Sequence, residues 1–181
     1  APTRTFIITG RERHGPAQEK PSMVGYPSRA IRTAGWLYIM NLRPSRWPIG
    51  VPDNATHPWN THTDIGNGLT KSFIINNKNN EKFAQHYKWC FAKRPANELY
   101  DLNKDPDQIN NLAGDSDYHK VLTSLRNKLI NYLRKTEDPR FTDVIPRFDE
   151  YPYRVNYLNK KAIRELKEKH RQNKRTEPPF H

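Results

Sequence analysis

Lys93-Arg94-Pro95-Ala96-Asn97-Glu98-Leu99-Tyr100-Asp101-Leu102-Asn103-Lys104-Asp105-Pro106-Asp107-Gln108-Ile109-Asn110-Asn111-Leu112 carries most of what the chain says about its architecture. Leu99 to Leu102 reads as a short apolar strand, and Asp105-Pro106 as the turn that ends it. Asn111-Leu112 then leads into a helical pattern. Tyr118, Val121, Leu122, Leu125, Leu129, Tyr132 and Leu133 fall on one stripe at the 3.6-residue period, which predicts an amphipathic helix over 118–135. Asp115 to Asp117 are N-cap candidates, Arg134 and Lys135 suit the C-terminal dipole, and Asp138-Pro139 stops the helix. Such a stripe must be buried. A long C-terminal amphipathic helix packed against a small antiparallel sheet, with long irregular loops, is the expected α+β architecture.

The remaining strands lie upstream. Thr5 to Thr9 is a β-rich run ending at Gly10, where a tight loop is expected to begin. Ile31, Trp36, Leu37, Tyr38 and Ile39 flank Ala34-Gly35, the pattern of a β-hairpin turning at that pair. Residues 10–25 are polar and irregular. From Arg43 to Trp59, Pro44, Pro48, Pro52 and Pro58 enforce an extended path. A loop of that length implies function or coverage of another surface, with Trp47 and Trp59 packing it down or stacking on sugar rings. Leu69–Ile75 and Glu81–Phe91 are helical candidates, and Asn159–Arg175 is a charged helical one.

Composition narrows the class. The 181 residues are 34% hydrophobic and include 15 Pro, which together suggest a modest core for a chain of this length. Mean hydropathy is −1.02. No apolar run approaches the roughly 20 residues a membrane span needs, and Ala1-Pro2-Thr3-Arg4 has neither initiator Met nor leader character. The expectation is a soluble piece of something longer. The single Cys90 excludes an internal disulfide and a cysteine-based zinc site, and between Trp89 and Phe91 it is expected to be buried. His57, His62 and His86 have no metal-site spacing and are expected to be surface or packing residues. The net charge of +12 sits at the ends: 8 Lys+Arg against 2 acids in residues 1–50, 14 against 14 in 51–150, and 9 against 3 in 151–181. That balance favours a polyanionic partner.

The chemistry concentrates in Gly10-Arg11-Glu12-Arg13-His14-Gly15, directly after the first strand. Loops at strand ends are where a sheet delivers binding side chains. Guanidinium forks match sulfate or carboxylate oxygens, and an imidazole can donate a proton when charged or bond a hydroxyl when neutral. An exposed charged loop with Glu12 paired to a neighbouring Arg is the plainer alternative.

Three stretches in this order resemble the sulfatase family. They are Thr9 to His14; Tyr26-Pro27-Ser28-Arg29-Ala30-Ile31-Arg32-Thr33 through Trp36-Leu37-Tyr38-Ile39 to Arg46-Trp47-Pro48-Ile49-Gly50; and Glu98 to Leu112. The pattern is similar to that of heparan N-sulfatase-like, arylsulfatase and related bacterial members, and covers about residues 5–140. The resemblance implies the C-terminal subdomain of an alkaline-phosphatase-like fold over 1–140. Residues 1–25 would include the last strand and active-site loop of the N-terminal domain, and 141–181 would be a basic, Pro- and Tyr-containing extension. It further implies that Arg13 and His14, with Arg11, contact a sulfated saccharide of glycosaminoglycan type. Lys71 would join them from Asp64-Ile65-Gly66-Asn67-Gly68-Leu69-Thr70-Lys71, where Leu69 stands in place of a usual Pro.

By the same resemblance, calcium and a formylglycine nucleophile belong to an N-terminal catalytic domain that would be the chain's partner, in a periplasmic or secreted enzyme. The formylglycine signature, Cys/Ser-x-Pro-x-Arg, does not occur here. Gly25 and Leu42 stand two positions before the Pro of the two Pro-Ser-Arg triplets, and Phe91-Ala92 follow Cys90. No catalytic residue and no metal site are expected within the chain, so by itself it is expected to hydrolyse nothing. The rival from another class is a non-catalytic, basic polyanion-binding module for sulfated glycan or nucleic acid, carried by the Tyr- and Lys/Arg-rich 151–181. No nucleic-acid fold signature accompanies it.

Overall fold

The computed structural model describes residues 4–12, 15, 18, 24–52, 61–142 and 147–149. Strands β1 (Ile7–Arg11), β2 (Ser28–Arg32), β3 (Trp36–Asn41) and β4 (Asn97–Asp101) form one antiparallel sheet in the order β1-β2-β3-β4. The helices are α1 (Leu69–Asn76), α2 (Ala84–Phe91), α3 (His119–Lys135) and the single turn α4 (Pro139–Thr142). Among these residues no helix is long and apolar enough to cross a membrane. The charged 159–175 pattern, His57 and Trp59 lie outside the described residues. The chain divides into two compact units. One takes residues up to Glu12, then Pro27–Pro44, then the stretch from Pro95 through α4; the other takes the residues between, together with 147–149.

The first unit is built on alternation. Ile8, Ile31, Tyr38 and Leu99 are cross-strand neighbours and so share one face of the sheet. Ile31, Tyr38 and Leu99 are fully buried. Helix α3 covers β2 and β3, sinking Leu125, Leu129 and Leu133 into the same cluster. Each such side chain contributes about 1.5–3 kcal/mol by leaving water. Tyr132 on the stripe stays partly exposed and meets Phe6 edge-to-face at 5.9 Å. The hairpin turns where its pattern placed it, through Ala34-Gly35, with the Thr33 N–H donating to the Trp36 carbonyl at 2.9 Å.

The ends of α3 are set by local chemistry. Asp115 accepts from the Asp117 N–H at 2.9 Å and opens a 3₁₀ turn, Ser116–Tyr118, ahead of the helix. At the other end Glu137 takes φ 55°. Its N–H donates to the Arg134 carbonyl at 3.1 Å, and the Asp138 N–H donates to Leu133 at 2.8 Å. These two bonds make a Schellman closure with a non-glycine in the left-handed position. The free edge of β4 is capped by the segment that follows it. Asn111 Oδ1 accepts from the Leu99 N–H at 2.9 Å, and the Leu112 N–H donates to the Leu99 carbonyl at 2.8 Å. Asp101 and Asp105 build the intervening turn, Asp101 accepting from Asn103 and Lys104, Asp105 from Ile109 and Asn110.

The second unit holds α1, α2 and residues 45–52 of the Pro-rich loop around a fully buried His62. Its ring contacts those of Trp47, Tyr87 and Phe91 at 5.9, 5.9 and 4.9 Å. The described part of the loop, up to Pro52, is thus packed down: the His62 N–H donates to the Val51 carbonyl and the Asp64 N–H to Ile49. Gly50 sits at φ 99°, a conformation L side chains rarely adopt, and its carbonyl faces the His62 ring. Two expectations are corrected. Cys90 is exposed, because it falls on the outer face of α2 while Phe91 takes the core position. Strand β1 runs on through Gly10 to Arg11 instead of ending before them, since both residues still pair with β2.

Candidate functional site

Gly10 lies directly opposite Arg29 in the β1–β2 ladder. A Cβ on Gly10 would meet Arg29 Cδ at 3.0 Å and Nε at 3.3 Å. The missing side chain is therefore what lets the Arg29 guanidinium fold back across β1. Alternation places Arg29 on the α3 side of the sheet, where the Schellman closure delivers Asp138.

All five guanidinium N–H groups of Arg29 are satisfied. Nε donates to Asp138 Oδ2 at 2.6 Å; Nη2 donates to Asp138 Oδ1 at 3.1 Å and to Glu12 Oε1 at 2.6 Å. Nη1 donates to the backbone carbonyls of Ser28 at 2.9 Å and Arg11 at 3.2 Å. Burial works against the charge of Arg29, but its bonds to Asp138 and Glu12 and their charges outweigh burial and hold its pKa above the usual value. Glu12 is gripped a second time by Arg140, whose side chain is fully buried. Arg140 Nη2 donates to Oε2 at 2.6 Å, and Nε lies 3.2 and 3.1 Å from the two carboxylate oxygens. Two cations and two anions, drawn from the residue after β1, from β2, from the turn before α4 and from α4 itself, thus lock the place where the chain leaves the sheet. Each buried partner depends on the others, and deleting one costs far more than a surface pair would.

Of the predicted substrate contacts, Arg11 ends β1, is half-buried, and has its carbonyl bound by Arg29. Arg13 and His14 lie outside the described residues, next in sequence after the clamped Glu12. Lys71 is elsewhere, in the second unit, and is 7% exposed. Its ammonium donates to the His62 carbonyl (2.9 Å), Asn67 Oδ1 (3.0 Å) and the Ile65 carbonyl (3.4 Å), and burial lowers its pKa. Those three acceptors match its three N–H groups and brace the turn that starts α1. Glu12, Arg29, Asp138 and Arg140 were not singled out as site residues from the sequence. The one available signal was Gly10, a glycine inside a β pattern.

Among the described residues no group of three or more His, Cys, Asp or Glu could hold a metal ion. Asp101 and Asp105 are occupied by backbone N–H groups of their own turn. These residues do not fit a calcium centre.

No protein-family model matches the chain, and no curated protein matches it. Solved structures do. One is a protein of Bacteroides thetaiotaomicron VPI-5482 described as a sulfatase, with 17% identity and a TM-score of 0.39, covering 84% of this chain. A second is a 2-O GAG sulfatase with 17% identity, a TM-score of 0.40 and the same coverage. A third, solved with its substrate D-glucosamine-2-N,6-O-disulfate, shows 15% identity and a TM-score of 0.39 over 77% of this chain. The chain spans 23% of the length of the first two and 17% of the third.

Proposed function

We propose that this chain is the C-terminal region of a sulfatase that releases sulfate from a sulfated sugar of glycosaminoglycan type. The loop leaving β1 supplies substrate contacts, while the formylglycine nucleophile and calcium stand on a further domain of a longer protein. The observation that carries the reading is the clamp on Glu12. Catalytic geometry tolerates little looseness, and a four-charge lock at the end of an edge strand holds Arg11 beside it and gives Arg13 and His14 a fixed point of departure. Arg13 offers a planar donor fork for a sulfate or carboxylate on the sugar. His14 bonds a hydroxyl or bridging oxygen, as donor when charged and as either partner when neutral. The ordered sulfatase-like stretches within residues 5–140 support the class, and the basic balance of the chain suits a polyanionic substrate.

The test is biochemical. The longer protein should contain a Cys/Ser-x-Pro-x-Arg nucleophile and liberate inorganic sulfate from sulfated glucosamine or uronate oligosaccharides. A longer protein without that motif, or one that leaves every sulfated saccharide intact, refutes the proposal.

A further inference from the structure

The second unit carries a surface that the clamp does not use. Phe73, Phe83, His86 and Trp89 form an unbroken row of rings: Phe73 to Phe83 at 4.9 Å, Phe83 to His86 at 6.2 Å, and His86 to Trp89 at 5.5 Å. Helical spacing explains the row, since the N-cap residue Phe83 and then His86 and Trp89 of α2 follow one another at intervals of three. The row is open to solvent. Phe73 is 49% and Trp89 38% exposed, and Leu69, one turn before Phe73, is 91% exposed. Buried aromatics serve packing, but the packing here is done by Tyr87 and Phe91, on the opposite side of α2 around His62.

Charge accompanies the rings. From Leu69 to Arg94 the chain has Lys78, Lys82, Lys88, Lys93 and Arg94 in addition to the buried Lys71, against the single acid Glu81. The Lys82 ammonium stands 5.5 Å above the Phe83 ring, so cation and ring belong to one surface. A patch of this kind rejects a purely apolar partner, because its ammonium groups would lose water without compensation. It also gains little from a simple inorganic anion, which leaves the rings wet. It suits a ligand with apolar ring faces and anionic substituents at their rims.

We infer that the α1–α2 surface is an acidic-saccharide platform, on which sugar rings rest against Phe73 and Trp89 while Lys82 meets their sulfate or carboxylate groups. The choice of saccharide over nucleic acid rests on the proposed sulfatase reading. One structural feature agrees with it: Phe83, in the middle of the row, meets Phe73 in a T-shaped contact and His86 in a tilted one, with the Lys82 ammonium above its ring, so the row offers no parallel stack of faces for successive bases.

The test is binding by this full chain, measured by Trp fluorescence and by calorimetry with a heparin-derived hexasaccharide, the desulfated hexasaccharide and a single-stranded RNA oligomer. The sulfated sugar should bind, weaken as salt rises and lose about tenfold in affinity in Trp89→Ala and in Phe73→Ser. The desulfated sugar should bind more weakly. Lys82→Gln alters charge without removing a packed ring, so it carries the test should the aromatic variants unfold. No binding of the sulfated sugar, binding unchanged in the charge variant, or tighter binding of the RNA would overturn the inference. Sulfate release plays no part in this experiment, so its failure leaves the enzymatic proposal standing, and the reverse also holds.

Discussion

Replacing Arg29 with Met removes the hub of the four-charge lock while keeping most of its volume. In the native protein Arg29 is 6% exposed, and its side chain donates to two carboxylates and two backbone carbonyls. After the substitution Glu12 still has Arg140, and Asp138 Oδ1 still accepts from the Arg140 N–H at 3.0 Å. Neither carboxylate is fully abandoned, and both retain some water, at 23% and 15% side-chain exposure. The loss should therefore sit near the low end of the range for breaking a buried pair, about 3 kcal/mol. Glu12→Gln on its own should cost less, about 1.5–3 kcal/mol, because the amide can still accept from one Arg. Combined, the two changes should cost clearly less than the sum of each alone, since they remove the same interaction. Urea-dependent hydrogen exchange at the Ile31 and Tyr38 amides, which lie in the first unit, reads this directly. A loss below about 0.5 kcal/mol for Arg29→Met, within the range of ordinary surface changes, or strict additivity with Glu12→Gln, would refute the lock.

Other outcomes follow from the same structure. Leu129→Ala empties a fully buried position between α3 and the sheet and should cost about 2–5 kcal/mol in urea unfolding. Glu137→Gly relieves a non-glycine at φ 55° and should stabilise the first unit by about 1 kcal/mol, seen as slower exchange in the last turn of α3. His62 should make the second unit acid-sensitive. Burial, joined by the charges of Lys71 and Lys78, lowers its folded pKa despite the Gly50 carbonyl, which favours the charged ring. The unfolded chain therefore takes up a proton first. The contribution is complete above the unfolded value of about 6.5 and fades as pH falls from there through the lowered folded value. Unfolding midpoints at the Tyr87 and Phe91 amides should drop between pH 7.5 and 5, and a flat profile would reject the assignment.

Much of the first unit was legible because its signals are periodic or local. The α3 stripe repeats every 3.6 residues, and Ala34-Gly35 sits between two β-rich runs, so neither needed knowledge of distant residues. The turn Asp101–Asp105 was legible for the same reason: its bonds span two to five positions. The lock was not. Arg29 and Asp138 are 109 positions apart, Glu12 and Arg140 128 apart, and no periodicity connects them. Only the fold makes Gly10 the seat of a guanidinium. Arg11, Arg13 and His14 stood out by residue type, whereas Glu12 between them looked like a surface acid. In the second unit a similar limit applies. The i, i+3 spacing of Phe83, His86 and Trp89 was visible, but nothing in the sequence said that Phe73 would join them or that Cys90 would face water.

The most direct test of the account compares wild type, Arg13→Ala and His14→Ala in the longer protein, measuring sulfate release from a defined sulfated oligosaccharide. Each substitution should lower kcat/KM at least tenfold, with thermal unfolding unchanged because both residues follow the locked Glu12 in sequence. Wild-type kinetics in both variants would contradict it.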